Sequence, residues 1–526
     1  MERVQRRLRR GFERLERALG LAFAPTWNPL YHLGALGFFF LWIVVVSGIY
    51  LYIFFDTGVI QAFGSVEYLT YEQWYVGGMM RSLHRYASDA MVVVMAVHLL
   101  REFSLDRYRG ARWFTWVTGV PILWLVFGAG ITGYWLVWDK LAQYVAITTT
   151  EWLDRLPIFG EPIARNFLSP ERLDDRFFTL LVFMHIVLPL LLLLVLWIHL
   201  QRVSRPRINP ARGLAIGMFL ALLVLSLVKP AVSQEPADLA TVPAVVGLDW
   251  FYLGFYPLFE TWPGAASWGM VGSLTLILLV LPWLPPLRRA PVAVVDLDNC
   301  NGCTRCVNDC PYNAITMMPR TDGRPFAREA VVNPSLCVSC GICAGACPTA
   351  TPFRRASELI PGIDLPGLSM AALRERVHEA SARLLPGAPR IMVFGCDQGV
   401  DVAAVRSEWV APVRLACIGQ LPPSFVDYVL SRDLAEGVLL TGCAEDACYH
   451  RFGIAWTEAR LVGQRDPHLR ARVPRERLAT LWVGRSQTRE LVEELRAFAA
   501  QLAAVAAPKI LRRAPRAAEL EHVRHG

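Results

Sequence analysis

Residues 300–348 read CNGCTRCVNDCPYNAITMMPRTDGRPFAREAVVNPSLCVSCGICAGACP. Cys300, Cys303, Cys306 and Cys310 precede Pro311, and Cys337, Cys340, Cys343 and Cys347 precede Pro348, so C-x2-C-x2-C-x3-C-P occurs twice. That spacing lets a tight loop aim three thiolates at one iron-sulfur cube, while the fourth, held by the turn-forming proline, reaches the cube of the other run. By this rule Cys300, Cys303, Cys306 and Cys347 hold one 4Fe-4S cluster, and Cys337, Cys340, Cys343 and Cys310 hold the second. A zinc module or a disulfide framework fits less well, because zinc sites take four ligands as two spaced pairs. Electrons pass through such a stretch, so the remaining chain is read for where they enter and leave.

The doubled run resembles the bacterial two-cluster ferredoxins over about fifty residues. Around it lie 526 residues, long enough for three domains, and a 54% hydrophobic content that points to a membrane protein. All twelve cysteines lie at or after Cys300, whereas the long apolar runs lie before Trp283. Clustered thiolates are kept in reducing compartments, so the C-terminal half is expected to face the cytoplasm. The net charge of +8 comes with arginines bunched at the N-terminus, between apolar runs and in the tail. Positive-inside topology produces that distribution, which argues against a nucleic-acid partner.

Arg3, Arg6, Arg7, Arg9, Arg10, Arg14 and Arg17, with Leu8, Phe12, Leu15 and Leu19 between them, predict a cytoplasmic interfacial helix on anionic headgroups. A signal peptide is the alternative, but the next apolar run, Leu33 to Phe55, is 23 residues long with no small-residue cleavage site after it. Further spans are expected at about Val76–Leu100, Phe114–Val137, Phe177–His199, Leu214–Leu227 and Trp268–Trp283. Six spans return the chain to its starting side. The connections bearing Arg101, Arg107, Arg109 and Arg112, then Arg202, Arg205, Arg207 and Arg212, and the segment from Arg288, are the basic ones and hence cytoplasmic.

Ionisable groups inside spans are costly and need a reason. His84 and His98 are 14 residues apart in the second span, and His185 and His199 are 14 apart in the fourth. Each pair therefore shares one helix face, about 21 Å apart along the axis at 1.5 Å per residue. Two such helices side by side offer facing His-His pairs at two depths, as two six-coordinate b-type haems require. Gly34 and Gly48, and Gly119 and Gly133, repeat the interval of 14 and let a flat macrocycle approach the backbone. Close helix packing is the blander reading of such glycines.

The segment from Leu33 to about Arg207 resembles the cytochrome b family of quinol-oxidising complexes, closest to the split photosynthetic form. The stretches AFGSVEYL, RSLHRYASDAMVVVMAVHLLREF, FTWVTGV, ITGYWLVWDKLAQY and MHIVLPLL carry the likeness. The resemblance implies a haem bundle with His84 and His185 on the outer haem, His98 and His199 on the cytoplasmic-side haem, quinone chemistry, and Arg81 and Arg85 as propionate or site contacts. Dimerisation is a further implication. The family's Pro-Glu-Trp-Tyr signature has its best counterpart in Leu248-Asp249-Trp250-Phe251-Tyr252, and its Pro-Trp-Asp becomes Val137-Trp138-Asp139. Asp249 and Asp139 are thus candidate quinone-site proton acceptors, and a simple quinone site is preferred over a bifurcating cycle. His32 falls where photosynthetic relatives anchor an extra haem through cysteine; a helix-start histidine is the blander reading, a quinone or axial contact the sharper one.

Short apolar runs ending at Cys396, Cys417 and Cys443, separated by helical patterns such as Pro423–Leu434, predict a parallel α/β domain with cysteines at its ligand-binding edge. With Cys448 they can ligate one 2Fe-2S cluster. Zinc or free structural cysteines are the alternatives, although spacings of 21, 26 and 5 suit no common zinc ribbon. FGC at 394–396, CIGQ-LPPSF at 417–425 and GCAEDACYHRFG at 442–453 resemble the delta subunit of methyl-viologen-reducing hydrogenases. That likeness implies a 2Fe-2S cluster and coupling to flavin-containing, heterodisulfide-reductase-like or hydrogenase subunits.

The expected fold class is multi-domain: an all-α transmembrane haem-binding bundle, an α+β ferredoxin-like domain, then a parallel α/β domain. Its expected boundaries are 1–30 interfacial helix, 31–210 haem bundle, 211–290 two further spans, 291–355 ferredoxin domain, 356–389 linker, 390–505 delta-subunit-like domain and 506–526 basic tail. The short linker after Pro285 is expected to hold the ferredoxin part against the membrane, near the haem of His98 and His199. No G-x-G-x-x-G fingerprint follows a strand and no hydride site is found, so the chain reads as the quinone-reactive electron-transfer subunit of an oxidoreductase. Its expected partners are a quinone and a soluble flavoprotein. The alternatives are a hydrogenase anchor and a redox sensor without turnover. A multi-pass inner-membrane location with cytoplasmic N-terminus and iron-sulfur domains completes the reading.

Overall fold

The computed structural model describes residues 2–23, 27–156, 162–168, 173–201, 206–285, 291–355, 359–387 and 389–511. It divides into two compact units, Met1–Leu287 and Arg288–Gly526. Arg202, Arg205, Arg288, most of the short linker and the tail beyond 511 lie outside the described residues.

In the first unit, α1 (Glu2–Ala22) is the basic amphipathic helix. The helices α2 (Leu33–Phe54), α3 (Gln61–Glu67), α4 (Met79–Ser104), α5 (Trp113–Val137), α6 (Lys140–Asp154), α7 (Ile163–Phe167), α8 (Asp175–Leu200), α9 (Arg212–Val228), α10 (Tyr256–Thr261) and α11 (Gly264–Val280) follow. Two π-helical segments, Tyr68–Glu72 and Trp74–Gly78, precede α4, so that helix begins three residues later than the sequence reading places it. Packing is pairwise, α2 along α4 and α5 along α8, with α9 and α1 also against α4.

Among the described residues four helical segments are long and apolar enough to cross a membrane: Leu33–Phe54, Gly110–Val137, Asp175–Leu200 and Gly264–Trp283. The chain is an integral membrane protein. The 26-residue α4 also has the length but carries Arg81, His84, Arg85, Asp89, His98 and Arg101. Arg81, Asp89 and Arg101 are buried inside the bundle, which is how a spanning helix tolerates them. The 17 residues of α9 are short for a span.

In the second unit, β1 (Val294–Val295) and β4 (Ile363–Asp364) pair antiparallel. Between the two cysteine runs, β2 (Ile315–Pro319) and β3 (Arg328–Val332) form an antiparallel hairpin in the register Ile315↔Val332. The five-residue helices α12 (Arg305–Asp309) and α13 (Ile342–Ala346) follow the first two cysteines of each run. A second sheet has β5 (Ile391–Cys396), β6 (Val410–Leu415), β7 (Gly437–Gly442) and β8 (Leu478–Trp482), all parallel in the order β6-β5-β7-β8. Helices α15 (Ser424–Ser431) and α16 (Gly453–Leu461) cross between strands, and α17 (Thr488–Leu511) closes the fold.

Two details depart from the sequence reading. Residues 356–389 are not a plain linker: they contain β4 and α14 (Met370–Ser381), whose Met370, Leu373 and Val377 are fully buried. The ferredoxin part and the parallel sheet also share one apolar core, in which Ala293, Ile315 and Ala344 pack with Met392, Phe394, Val413 and Leu440. Ile391, Val393 and Leu439 face the other side of the sheet, against Leu491, Leu495 and Phe498 of α17. Side chains that alternate along a strand require this two-sided cover.

Candidate functional site: a histidine bundle and three cysteine sets

The structure brings His84 of α4 and His185 of α8 together, with ring centroids 6.3 Å apart. That separation leaves room for one metal ion bonded at about 2 Å to each ring. His84 Nδ1 lies 3.0 Å from Val44 O and 3.2 Å from Ser47 Oγ. His185 Nδ1 lies 3.0 Å from Ala129 O and 3.3 Å from Thr132 Oγ1, and His199 Nδ1 lies 3.0 Å from Thr118 Oγ1. Carbonyl oxygens only accept, so in His84 and His185 Nδ1 carries the proton and Nε2 keeps its lone pair. Ser47, Thr118 and Thr132 each donate their own hydrogen to a carbonyl one helical turn back, which turns an oxygen lone pair to the imidazole.

The glycines stand where the rings pass. A Cβ on Gly48 would meet His84 at 3.0 Å and one on Gly133 would meet His185 at 2.9 Å, whereas Cβ atoms on Gly34 and Gly119 would lie 3.7 and 3.6 Å from His98 and His199. Sequence reasoning missed the three hydroxyls. The signal was present, since Ser47-Gly48, Thr118-Gly119 and Thr132-Gly133 repeat a hydroxyl-glycine pair at three of the four positions.

Beside His84, Arg85 Nη2 lies 2.9 Å from Asp249 and Arg85 Nε lies 3.2 Å from Asp89. Its guanidinium also covers the Tyr134 ring at 4.5 Å. Tyr134 donates to Asp249 Oδ2, and the Tyr252 hydroxyl lies 2.6 Å from Ser88 Oγ. Arg81 instead bonds Thr70 and Ser233 and pairs with Glu67. Asp139 caps α6: its Oδ1 accepts from Ala142 N at 2.9 Å and its Oδ2 from Gln234 N at 2.8 Å. Two backbone donors give Asp139 a structural task. His32 is buried at the start of α2.

In the second unit one concavity of about 350 Å³ is lined by Cys310, Cys337, Cys340 and Cys343, and another of about 310 Å³ by Cys300, Cys303, Cys306 and Cys347. Each cysteine loop has two left-handed residues around its second cysteine: Gly302 (φ 66) and Thr304 (φ 64) flank Cys303, and Ser339 (φ 58) and Gly341 (φ 75) flank Cys340. Such turns point successive N–H groups inward, a cradle for an anionic cluster. Burial pushes the Cys306 and Cys340 thiols up to about 12, so metal must displace their protons.

Cys396 and Cys443 lie 3.9 Å apart, Cys417 stands within hydrogen-bond reach of Cys396 and Cys448, and Cys448 within reach of Cys417 and Cys443, so the four sulfurs close a ring. Gln398 N and Tyr449 N approach the Cys396 and Cys443 sulfurs at 3.4 and 3.5 Å. Gly453 packs so close to Cys417 that a Cβ there would overlap the sulfur. Among the described residues no three His, Cys, Asp or Glu side chains have the arrangement of a single-ion site. Cys340, Ile342 and Cys417 belong to one packed cluster with Val338 and Trp456, so the cavity lined by Cys340 adjoins the last cysteine set.

Family comparisons follow the same divisions. Residues 19–205 match the family model described as cytochrome b/b6/petB, residues 299–351 that of the 4Fe-4S dicluster domain, and residues 391–506 that of the methyl-viologen-reducing hydrogenase delta subunit. A solved structure described as a hyperthermophilic respiratory Complex III is 23% identical, covers 48% of this chain and 75% of that chain, and gives a TM-score of 0.39. From its N-terminus onward the chain thus joins three segments similar to cytochrome b/b6, to 4Fe-4S dicluster domains and to the hydrogenase delta subunit, as a membrane electron-transfer protein does.

Proposed function

We propose that the chain connects the quinone pool, through two b-type haems, to two 4Fe-4S clusters, a 2Fe-2S cluster and a soluble oxidoreductase. The observation that carries this reading is the packing of Cys340 with Cys417, which makes the cysteine sets neighbours in one unit. His84 with His185 and His98 with His199 would hold the haems, and the cysteines lining each concavity would hold one 4Fe-4S cluster each. Cys396, Cys417, Cys443 and Cys448 would hold the 2Fe-2S cluster. These groups supply one-electron transfer when bound; the protein orients the imidazoles, keeps water out and places the sulfurs. Of the two candidate proton acceptors we assign the role to Asp249, which faces Arg85 and Tyr134 rather than a helix end.

One feature supports a cytoplasmic N-terminus, and the clustered thiolates support cytoplasmic iron-sulfur domains. Gln5 of α1 donates to Phe103 O and Glu16 pairs with Arg101, which puts the basic helix at the same end as the basic 101–112 connection. The delta-subunit match supports a soluble flavoprotein or hydrogenase-type partner. A redox titration of the purified protein with optical and paramagnetic-resonance detection tests the reading. Two b haems, about ten non-haem irons and a 2Fe-2S signal lost in Cys443→Ser are expected. About eight irons with one zinc would remove the last relay step.

The glycines give a sharper expectation. Gly48→Ala and Gly133→Ala should displace His84 and His185 and reduce occupancy of that haem several-fold, whereas Gly34→Ala and Gly119→Ala should leave the other haem bound. Haem-to-protein ratios decide it, and equal loss at all four sites would contradict it.

A further inference from the structure

Asp89 lies five residues after His84 on α4, in the membrane half, with 8% of its surface exposed. An ionisable residue at such a depth needs a partner and a task. Its partner is Arg85, whose Nε reaches Asp89 Oδ2 at 3.2 Å. The same guanidinium also serves Asp249 at 2.9 Å, so one cation faces two carboxylates.

The two acids are not equivalent. Asp249 Oδ1 accepts from Phe251 N at 2.9 Å, and Oδ2 accepts from both Arg85 and Tyr134. Three donors suit an ionised carboxylate. Asp89 Oδ1, by contrast, is buried without a donor, although the Asp89 carboxyl stands within hydrogen-bond reach of Asp249. Two carboxyl groups in such contact require a proton between them, and the group short of donors is the one that carries it. With both acids ionised, the pair and Arg85 would have a net charge of −1 in a low-dielectric site; one proton brings it to zero.

We propose that Asp89 and Asp249 form a carboxyl pair holding one proton, clamped by Arg85, and that this pair, with the proton carried on Asp89, is the acceptor through which the membrane half exchanges a proton with its substrate. The pair cycles between a doubly ionised and a singly protonated state. The resting proton first leaves Asp89 for water as that O–H breaks; an O–H bond then forms again at Asp89 as the donor's O–H breaks, and no electron moves in either step. The proton donor is identified as a quinol only through the function proposed above; the pair itself does not depend on it. Tyr86, Tyr134 and Tyr252 are the other titratable groups close to the pair.

Infrared spectroscopy of the full-length protein at neutral pH, with and without deuterium exchange, tests the pair. A protonated-carboxyl C=O band is expected in the wild type and absent in Asp89→Asn, Asp89→Ser and Asp249→Asn, because a single carboxylate beside Arg85 needs no proton. No such band in the wild type, or one unaltered in both Asp89 variants, overturns the pair. The exchange role is read by haem reduction with a soluble quinol analogue. Asp89→Asn should slow it at least about tenfold while leaving the dithionite-reduced haem spectrum unchanged, and Asp89→Glu should restore it. Quinol reduction of Asp89→Asn at the wild-type rate overturns the role. A wild type that quinol cannot reduce sinks the quinone reading instead, and the infrared band still decides the pair.

Discussion

Asp309→Ala is expected to destabilise the second unit by about 3–5 kcal/mol, as removal of one partner from a buried ion pair does. Asp309 closes α12, immediately before Cys310, and is 3% exposed; Arg460 of α16 is fully buried. Arg460 Nη2 reaches Asp309 Oδ2 at 2.5 Å, while Nη1 donates to Gly419 O at 2.9 Å and Nη2 to Ile342 O at 3.5 Å. One guanidinium therefore ties the end of α12 just before Cys310, the loop after Cys417 and the start of α13. Burial pulls the Arg460 guanidinium below its ordinary value, and Asp309 is the charge that opposes this. Without Asp309 that cation is stranded. Arg460→Met should cost less, because Arg465 Nε still reaches Asp309 at 2.7 Å and stacks 3.6 Å over Trp456. Replacing both by apolar residues should recover much of the loss, because no charge is then left buried. Denaturant unfolding of the full chain, followed by cluster absorbance, measures all three. A loss below about 1 kcal/mol in Asp309→Ala would rule this account out.

Gly453→Val is expected to abolish the last cluster although all four cysteines remain. A Cβ at this position would overlap the Cys417 sulfur and stand 3.5 Å from the Cys448 sulfur. A Cβ on Gly419 would in turn lie 3.1 Å from the Gly453 Cα, so the two backbones already pack closely and the loop cannot simply retreat. Interiors as dense as this do not absorb such a group without moving a neighbour. Gly484→Ala is the control, since its Cβ would meet only Gln487 Oε1 at 3.4 Å and Ala444 at 3.9 Å. Iron and sulfide counts with paramagnetic resonance decide it. A wild-type count in Gly453→Val would show that Cys417 is not a ligand or that α16 can shift.

Much of this was legible in the residues, for reasons that differ by region. Cysteines spaced C-x2-C-x2-C-x3-C-P and histidines 14 apart are short-range patterns, and a loop or a helix converts them directly into position. The hairpin at β2 and β3 and the strands β5 and β7 were readable from β-branched runs between turn residues. Strand β8, with Pro474 before it and no cysteine after it, was not distinguished. Residues 356–389 misled because prolines and arginines are scattered through the stretch, whereas Met370, Leu373 and Val377 recur at helical spacing and pack. Asp89 was visible as a charge in a span, but the need for a partner across the chain, Asp249, is not local and took the fold to supply.

The apolar core common to the cysteine loops and the parallel sheet has a consequence for how such a protein can be taken apart. Three family likenesses in series suggest three pieces that could be expressed alone, with cuts near 355 and 390. The first cut would strip Ala344 and Ile315 of Leu365, Met370 and Met392; the second would leave α14 without the sheet it covers. Either fragment would show water a face meant for protein and would be prone to aggregate. The two iron-sulfur portions fold, and would be lost, together.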